Sequence, residues 1–170
     1  MVELSKRGLF CVWPEKRARL QTRRNSHAVS QFARVVKLSA QEARLVDDEL
    51  VRYNLSAVPF TQSEPFIRMR YGIHDEDGSL IAGITAVLYC WRILYTDALW
   101  VDELHRHRGL GTKLLRNLEE EAKSNGCTLS HLDTFDFQSK AFYERLGYQV
   151  FGVLDDCPPG HTRYFLKKTL

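Results

Sequence analysis

The chain has 170 residues, of which 44% are apolar and 26% charged, and its formal net charge is +3 at pH 7. This length suits one domain with one hydrophobic core, and the composition is ordinary for a globular protein. No apolar run approaches the roughly 20 residues that a membrane-spanning helix needs. The four cysteines form no C-x-x-C pair and no histidine has zinc-finger spacing to them, so we expect reduced thiols, a cytoplasmic location and no metal site.

Residues 1–30 differ in charge from the rest of the chain, with seven Lys or Arg against two acidic residues. They show no clear helix or strand period, and they lack the apolar core of a secretory signal, which is about 7–15 residues long. We expect a basic, poorly ordered extension over residues 1–30 and one folded domain over residues 31–170. An organellar transit peptide and a nucleic-acid-binding arm are the alternatives for such an Arg-rich segment.

From residue 31 onward, strand-like and helix-like patterns alternate. Strands are predicted at residues 32–38, 66–74, 79–91, 93–101, 129–135, 148–154 and 162–167. Helices are predicted after Ser39, from Leu110 to Asn125-Gly126, and over residues 138–146. Leu110, Leu114, Leu115, Leu118 and Ala122 share one face of the second helix. Ser39 and Glu42 have the spacing of a capping box, and the residues between positions 75 and 78 are typical of a turn. This order predicts a mixed α/β sheet with helices on its faces.

A turn containing two glycines joins the strand at 93–101 to the helix that begins at Leu110. The first N–H groups of a helix have no partner within it and lie at the positive end of the helix dipole, so a phosphate group is their natural ligand. Small residues also let the backbone approach that ligand closely. The chain lacks the P-loop pattern and the third glycine of the dinucleotide fingerprint. Two glycines alone are equally consistent with a simple tight turn.

The context of this turn carries a resemblance to a known family. Residues 99–115, LWVDELHRHRGLGTKLL, resemble the coenzyme A signature of the GNAT family of N-acetyltransferases, with Arg106-x-x-Gly109-x-Gly111 at its centre and Val101 five residues before the arginine. Downstream, residues 141–148, AFYERLGY, resemble the family's FYEKLGF segment. The resemblance covers about residues 31–170 and leaves the basic extension outside.

The resemblance implies a central twisted mixed sheet flanked by helices, with splayed strands that form an acetyl-CoA cleft. It also implies acetyl transfer to a primary amine by direct attack in a ternary complex. The implied coenzyme contacts are Leu99, Trp100, Val101, Arg106, His107, Arg108, Gly109, Leu110, Gly111, Thr112, Asp136 and Tyr143. One position departs from the family, because Asp136 stands where an asparagine often helps to hold the coenzyme. A carboxylate is a less favourable neighbour for an anionic coenzyme.

The same resemblance makes Tyr143 the general acid that protonates the departing sulfur, with a backbone N–H late in the 93–101 strand as oxyanion donor. The acceptor amine, with a pKa near ~10.4, must lose a proton before it attacks. Alternation along the strand puts Tyr95, Asp97 and Leu99 on one face, so Asp97 is a candidate base. Asp133, on the neighbouring strand, is another candidate, and either carboxylate could instead have a structural role.

We expect the acceptor to be a small-molecule amine selected by residues 39–65 and by the 155–164 loop. Further candidates to shape that region are Asp47, Asp48, Glu49, Asp155, Asp156, His161, Arg163 and Tyr164, although the acidic residues are also consistent with a solvated surface. Protein N-acetylation and a non-catalytic acyl-CoA-binding sensor are the alternative functions. A homodimer is compatible with the family, and neither a membrane nor a nucleic acid is expected as a partner.

Overall fold

The computed structural model describes residues 34–170, so the predicted extension over residues 1–30 lies outside the described residues. The described elements follow in the order α1 (Ala40–Ala57), β1 (Phe66–His74), β2 (Leu80–Tyr89), β3 (Ile93–Val101), α2 (Leu110–Ser124), β4 (Leu129–Phe135), α3 (Lys140–Arg145), β5 (Gln149–Leu154) and β6 (Arg163–Thr169). A short 3-10 turn, Glu103–His105, lies between β3 and α2. The chain divides into two units after Arg52.

The first unit is described from residue 34 and contains most of α1. Residues 34–39 form no helix or strand, so the strand predicted over residues 32–38 is wrong in its described part. Val35 is fully exposed there, and an apolar run becomes a strand only when it can pack and pair with neighbours. The capping box is confirmed, because the Ser39 N–H donates to the Glu42 carboxylate at 2.8 Å and the Glu42 N–H donates to the Ser39 hydroxyl at 3.3 Å. The Ser39 hydroxyl also donates to the Glu42 carboxylate, at 2.7 Å, and the bonds from the Ser39 N–H and hydroxyl lower the pKa of Glu42.

The second unit contains a six-stranded mixed sheet in the order β1-β2-β3-β4-β6-β5. All neighbouring strands are antiparallel except β3 and β4, which are parallel. The predicted turn between β1 and β2 is confirmed, because the Asp75 carboxylate accepts the N–H groups of Asp77 and Ser79 at 3.1 and 2.8 Å. The predicted mixed α/β sheet is therefore confirmed.

One face of this sheet forms the hydrophobic core together with α2 and α3. Besides Glu119, the buried residues of α2 are four of the five that helical spacing puts on one face, Leu114, Leu115, Leu118 and Ala122. They belong to one cluster with Ile84 and Leu88 of β2, Leu132 of β4, Leu166 of β6 and Tyr143 of α3. Burying each large apolar side chain contributes roughly 1.5–3 kcal/mol, so this cluster fixes α2 and α3 against the sheet.

The third helix begins two residues later than predicted. The side-chain oxygen of Gln138 accepts the Phe135 N–H and the Thr134 hydroxyl, both at 3.0 Å. Gln138 therefore closes the turn after β4, and the helix proper starts at Lys140. None of the helices within residues 34–170 is long and apolar enough to cross a membrane.

Candidate active site

A cleft opens where β3 and β4 separate. The two strands pair only over the first four residues of β3, with Thr96 opposite Leu132 as the last pair. Beyond this point β3 stays paired to β2 and β4 stays paired to β6, so the strands diverge. The resulting cavity of about 810 Å³, here called the cleft, is lined by residues 96–101, 105–107, 109–112, 133–134, 137–139, 142, 143 and 145.

A β-bulge at Asp97 changes the direction of side chains along the cleft edge of β3. The register with β2 shifts at this residue, so Thr96 and Leu99 both lie opposite buried residues of β2. Directly opposed residues share a face of a sheet, and Leu99 therefore shares the core face with Thr96. The prediction that Tyr95, Asp97 and Leu99 share one face is wrong, because strict alternation does not allow for the extra residue of a bulge.

The amino end of α2 meets the cleft at Gly109. This residue caps the helix in the left-handed region, at φ +80°, which glycine adopts without strain. A Cβ built on Gly109 would meet no other atom of residues 34–170 within 4 Å, so the backbone here is open to a ligand. Leu110, Gly111 and Thr112 follow in the first turn and also line the cleft. Their N–H groups lie at the positive end of the helix, where an anion is stabilised.

The turn before α2 is stabilised by hydrogen bonds among residues 101–106. The Asp102 carboxylate accepts the Leu104 N–H at 3.0 Å and lies 2.9 Å from His105 Nδ1. The His105 contact is the main reason that the pKa of Asp102 is lowered. Arg106 Nε donates to the Val101 carbonyl at 3.2 Å, which holds the arginine beside the cleft. The turn therefore presents Arg106 and His107 next to the helix amino end.

Gly111 is needed for a different structural reason from Gly109. A Cβ built there would lie 3.4 Å from the Phe142 ring and 3.7 Å from a methyl of Val101. Its missing side chain therefore permits close packing between α2, α3 and the end of β3. Of the two glycines in the motif, Gly109 supplies the open backbone and Gly111 the close approach of elements.

Tyr143 reaches the cleft from α3. Its ring is 8% exposed and packs edge-to-face against Phe142 and Tyr148, at centroid distances of 5.0 and 5.9 Å. Burial, aided by the negative charge of Asp133, raises the pKa of Tyr143 to about 12. The hydroxyl therefore carries its proton at neutral pH and can serve as a hydrogen-bond and proton donor within the cleft.

Asp133 lines the cleft on the β4 side, but both of its carboxylate oxygens are engaged. Oδ1 accepts the Tyr95 hydroxyl at 2.9 Å, and Oδ2 accepts Arg163 Nε and Nη2 at 2.7 and 2.6 Å. Burial, together with the charges of Asp133 and Asp97, raises the pKa of Tyr95. Asp97, by contrast, is exposed at the bulge and also lines the cleft.

Comparison with known proteins identifies the family. The profile of the Acetyltransferase (GNAT) family matches residues 40–148. The chain belongs to this family. It is 40% identical over 96 residues to blasticidin-S acetyltransferase of Streptomyces morookaense. That match covers 56% of this chain and 70% of the other protein. It is also 32% identical over 130 residues to an acetyltransferase of Agrobacterium fabrum, covering 76% of this chain and 91% of the relative.

Solved structures support the same assignment. An acetyltransferase from Bacillus cereus superposes with a TM-score of 0.76 at 34% identity, covering 81% of this chain and 98% of the other. The predicted family, the predicted fold and the prediction of an acetyltransferase are thus confirmed. This GNAT protein therefore shares its overall fold with that acetyltransferase.

The structure brings most of the predicted site residues of this GNAT protein together. Asp97, Asp133, Tyr143 and all but two of the predicted coenzyme contacts line the cleft, the exceptions being Arg108 and Asp136. Arg108 is exposed. Asp136 points to other partners, because its carboxylate accepts the Phe137 N–H at 2.8 Å and lies 3.1 Å from His161 Nδ1.

Sequence reasoning missed several residues that line the cleft. Arg145 was visible within the FYERLGY segment, as a basic residue in the last turn of α3. Thr96 is 4% exposed, and its hydroxyl has no hydrogen-bond partner within the described residues. Phe137 follows β4 and is 58% exposed. No sequence pattern indicates Thr96 or Phe137, because their positions depend on where β3 and β4 diverge.

Proposed function

We propose that this GNAT acetyltransferase transfers the acetyl group of acetyl-CoA to a primary amine of a small molecule, by direct attack while both substrates are bound. One observation supports this most strongly. A single cleft contains the anion-binding amino end of α2 and the buried hydroxyl of Tyr143. The first suits the phosphates of the coenzyme, and the second suits its sulfur.

The residues present fit acetyl-CoA. Gly109 and the N–H groups that follow it would hold the pyrophosphate, with Arg106 and His107 adding positive charge from the same side. Residues 97–101 of β3 have no partner in β4, so their cleft-side backbone groups are available to the pantetheine arm. This extended arm would lead from the helix end to the point where the strands separate.

Asp97 is the residue that accepts the proton of the amine in the proposed reaction. Asp97 is exposed at the bulge, whereas both oxygens of Asp133 already accept hydrogen bonds. Asp97, directly or through a water, takes the proton of the acceptor amine. The amine nitrogen then bonds to the acetyl carbon, and cleft-side N–H groups of β3 stabilise the charge that develops on the carbonyl oxygen.

Tyr143 completes the transfer. As the carbon–sulfur bond breaks, the electron pair goes to sulfur and the Tyr143 hydroxyl supplies the proton that makes the free thiol of coenzyme A. Asp97 releases the ammonium proton to solvent. The second proton, which the nitrogen loses as the amide forms, passes through water to the Tyr143 oxygen and replaces the one that Tyr143 gave, so the reaction releases one proton in all. The products are an N-acetylated amine and free coenzyme A.

One observation favours a small-molecule acceptor over a protein. The Streptomyces relative is named for acetylation of blasticidin S, a single small molecule. We therefore extend acetylation of a small amine to this chain.

The experiment is a thiol-release assay with acetyl-CoA and three acceptor sets, namely small amines, lysine-containing peptides and peptides with a free amino terminus. Mass spectrometry should show the acetylated form of at least one small amine, with one thiol released for each product formed. Turnover confined to peptides would contradict the small-molecule acceptor. Coenzyme binding without turnover in any set would contradict the enzymatic reaction.

A further inference from the structure

Phe137 is a large apolar side chain that the coenzyme site does not explain. It lines the cleft yet is 58% exposed. It follows the end of β4, and so belongs to a different part of the chain from the amino end of α2. An aromatic ring held at the edge of a cavity offers a large flat surface to a ligand.

The Phe137 ring is fixed in place by its neighbours. It stacks on Phe135 with a centroid distance of 5.1 Å and an interplanar angle of 4°. His161 packs edge-on against it at 4.9 Å and 80°. Asp136 links this group, since it accepts the Phe137 N–H and pairs with His161. A ring that is already positioned loses little conformational entropy when a ligand stacks on it.

This aromatic pair belongs to the sheet face opposite the coenzyme elements. Leu132 of β4 belongs to the core cluster with residues of α2 and α3. Successive residues of a strand alternate between faces, so the buried Thr134 shares the face of Leu132. Phe135 and Asp133 therefore lie on the other face, and the stacked Phe137 lies with them. Tyr143 and the α2 end approach the cleft from the core face, so a ligand on Phe137 would enter from the side opposite the coenzyme.

Negative charge lies near the same entrance. Asp97 and Asp133 both line the cleft. Asp133 accepts the Tyr95 hydroxyl at 2.9 Å, and Asp97 follows Tyr95 by two residues on β3. Arg163 neutralises Asp133, with its guanidinium 2.6 Å from that carboxylate. Among these three groups, the exposed carboxylate of Asp97 is therefore available to an incoming cation.

We propose that the acceptor is an amine attached to a planar conjugated ring, with the ring stacked on Phe137 and the amino group directed toward Asp97. This inference rests on the proposed function and specifies its acceptor class. The carboxylate attracts the ammonium form before it gives up a proton, and the aromatic platform selects flat rings over saturated ones of similar size.

The test compares two acceptors of equal length, an aryl-alkylamine and the corresponding cyclohexyl-alkylamine. In the wild-type protein, kcat/KM should favour the aryl amine. Phe137→Leu keeps an apolar side chain without the ring, and it should raise KM for the aryl amine about fivefold to tenfold while leaving the cyclohexyl amine nearly unchanged. Phe151→Leu is the matched control, because Phe151 is 55% exposed but does not line the cleft.

Three results would overturn the inference. The first is equal use of both amines by the wild-type protein. The second is an unchanged aryl preference in Phe137→Leu. The third is a weaker coenzyme A affinity in Phe137→Leu with no change in acceptor preference, which would place the adenine ring on Phe137. Calorimetry measures the affinity of both amines for the coenzyme-saturated protein and so gives the preference for the aryl amine without turnover. Failure of the reaction and failure of the stacking site are thereby distinguished.

Discussion

Two glycines provide a matched pair that separates backbone strain from ligand binding. Gly109 and Gly78 have φ values of +80° and +81°, and a Cβ built on either meets no other atom within 4 Å in the described part of the chain. Alanine at either position is therefore strained by its backbone alone. The left-handed conformation costs an L-residue roughly 1–2 kcal/mol, so Gly109→Ala and Gly78→Ala should each lower the free energy of unfolding by that amount.

Only one of these substitutions should affect the coenzyme. Gly109 caps α2 at the cleft, whereas Gly78 lies in the turn between β1 and β2. A methyl group on Gly109 would occupy space beside the N–H groups that are open to phosphate. We expect Gly109→Ala to weaken coenzyme A binding at least about tenfold, which corresponds to about 1.4 kcal/mol. Gly78→Ala should leave the affinity within about twofold of wild type.

Urea unfolding and isothermal titration calorimetry measure the two quantities on the same samples. Calorimetry is run well below the unfolding temperature, so that every variant is folded when the coenzyme is added. Equal loss of affinity in both variants would attribute the effect to stability rather than to the helix end. No loss in Gly109→Ala would refute the assignment of this backbone to the pyrophosphate.

Three further substitutions and one control substitution test the chemistry and the cleft. Tyr143→Phe should lower kcat about 10²-fold to 10⁴-fold at unchanged acetyl-CoA affinity. Tyr148→Phe is its control, because it leaves the buried Ser130 hydroxyl without its 2.7 Å partner. The control should lower the unfolding free energy by about 1–3 kcal/mol. Similar kcat values in the two variants would remove Tyr143 from the mechanism. Asp97→Asn should reduce kcat about 10²-fold at pH 7 but much less above pH ~10, where the amine is already neutral, and a pH-independent loss would contradict its role as base. Thr96→Val removes an unpaired buried hydroxyl and should raise the urea-derived stability of the free protein by about 1 kcal/mol, so that destabilisation would show that the hydroxyl is in fact satisfied.

Local patterns in the sequence predicted what depends on local physics. The Ser39–Glu42 capping box, the turn that Asp75 organises and the leucine face of α2 all follow from residues within one or two turns of each other. The glycine turn was found in the same way, because the N–H groups of a helix end depend on the helix alone.

Features that depend on strand register escaped prediction. Strict alternation misplaced Leu99, since the bulge at Asp97 is visible only in the pairing with β2. The saturation of Asp133 by Tyr95 and Arg163 requires three strands to meet in one register. Such contacts join residues 30 or more positions apart in the chain, and no local pattern records them.

The strand predicted over residues 32–38 is a case in which local composition predicts an element that does not form. Its composition suits a strand, but Val35 is exposed and the described residues 34–39 form no ladder. Strand propensity reflects packing against neighbours, so composition alone could not decide this segment.

A crystal structure of the protein with acetyl-CoA tests the central claim most directly. The account predicts that the pyrophosphate contacts the backbone N–H groups at the start of α2, next to Gly109, and that the sulfur lies within about 3.3 Å of the Tyr143 hydroxyl. The acetyl carbonyl should point toward the β3 backbone beyond Thr96, where β4 has diverged. A coenzyme bound outside this cleft, or a sulfur directed away from Tyr143, would contradict the account.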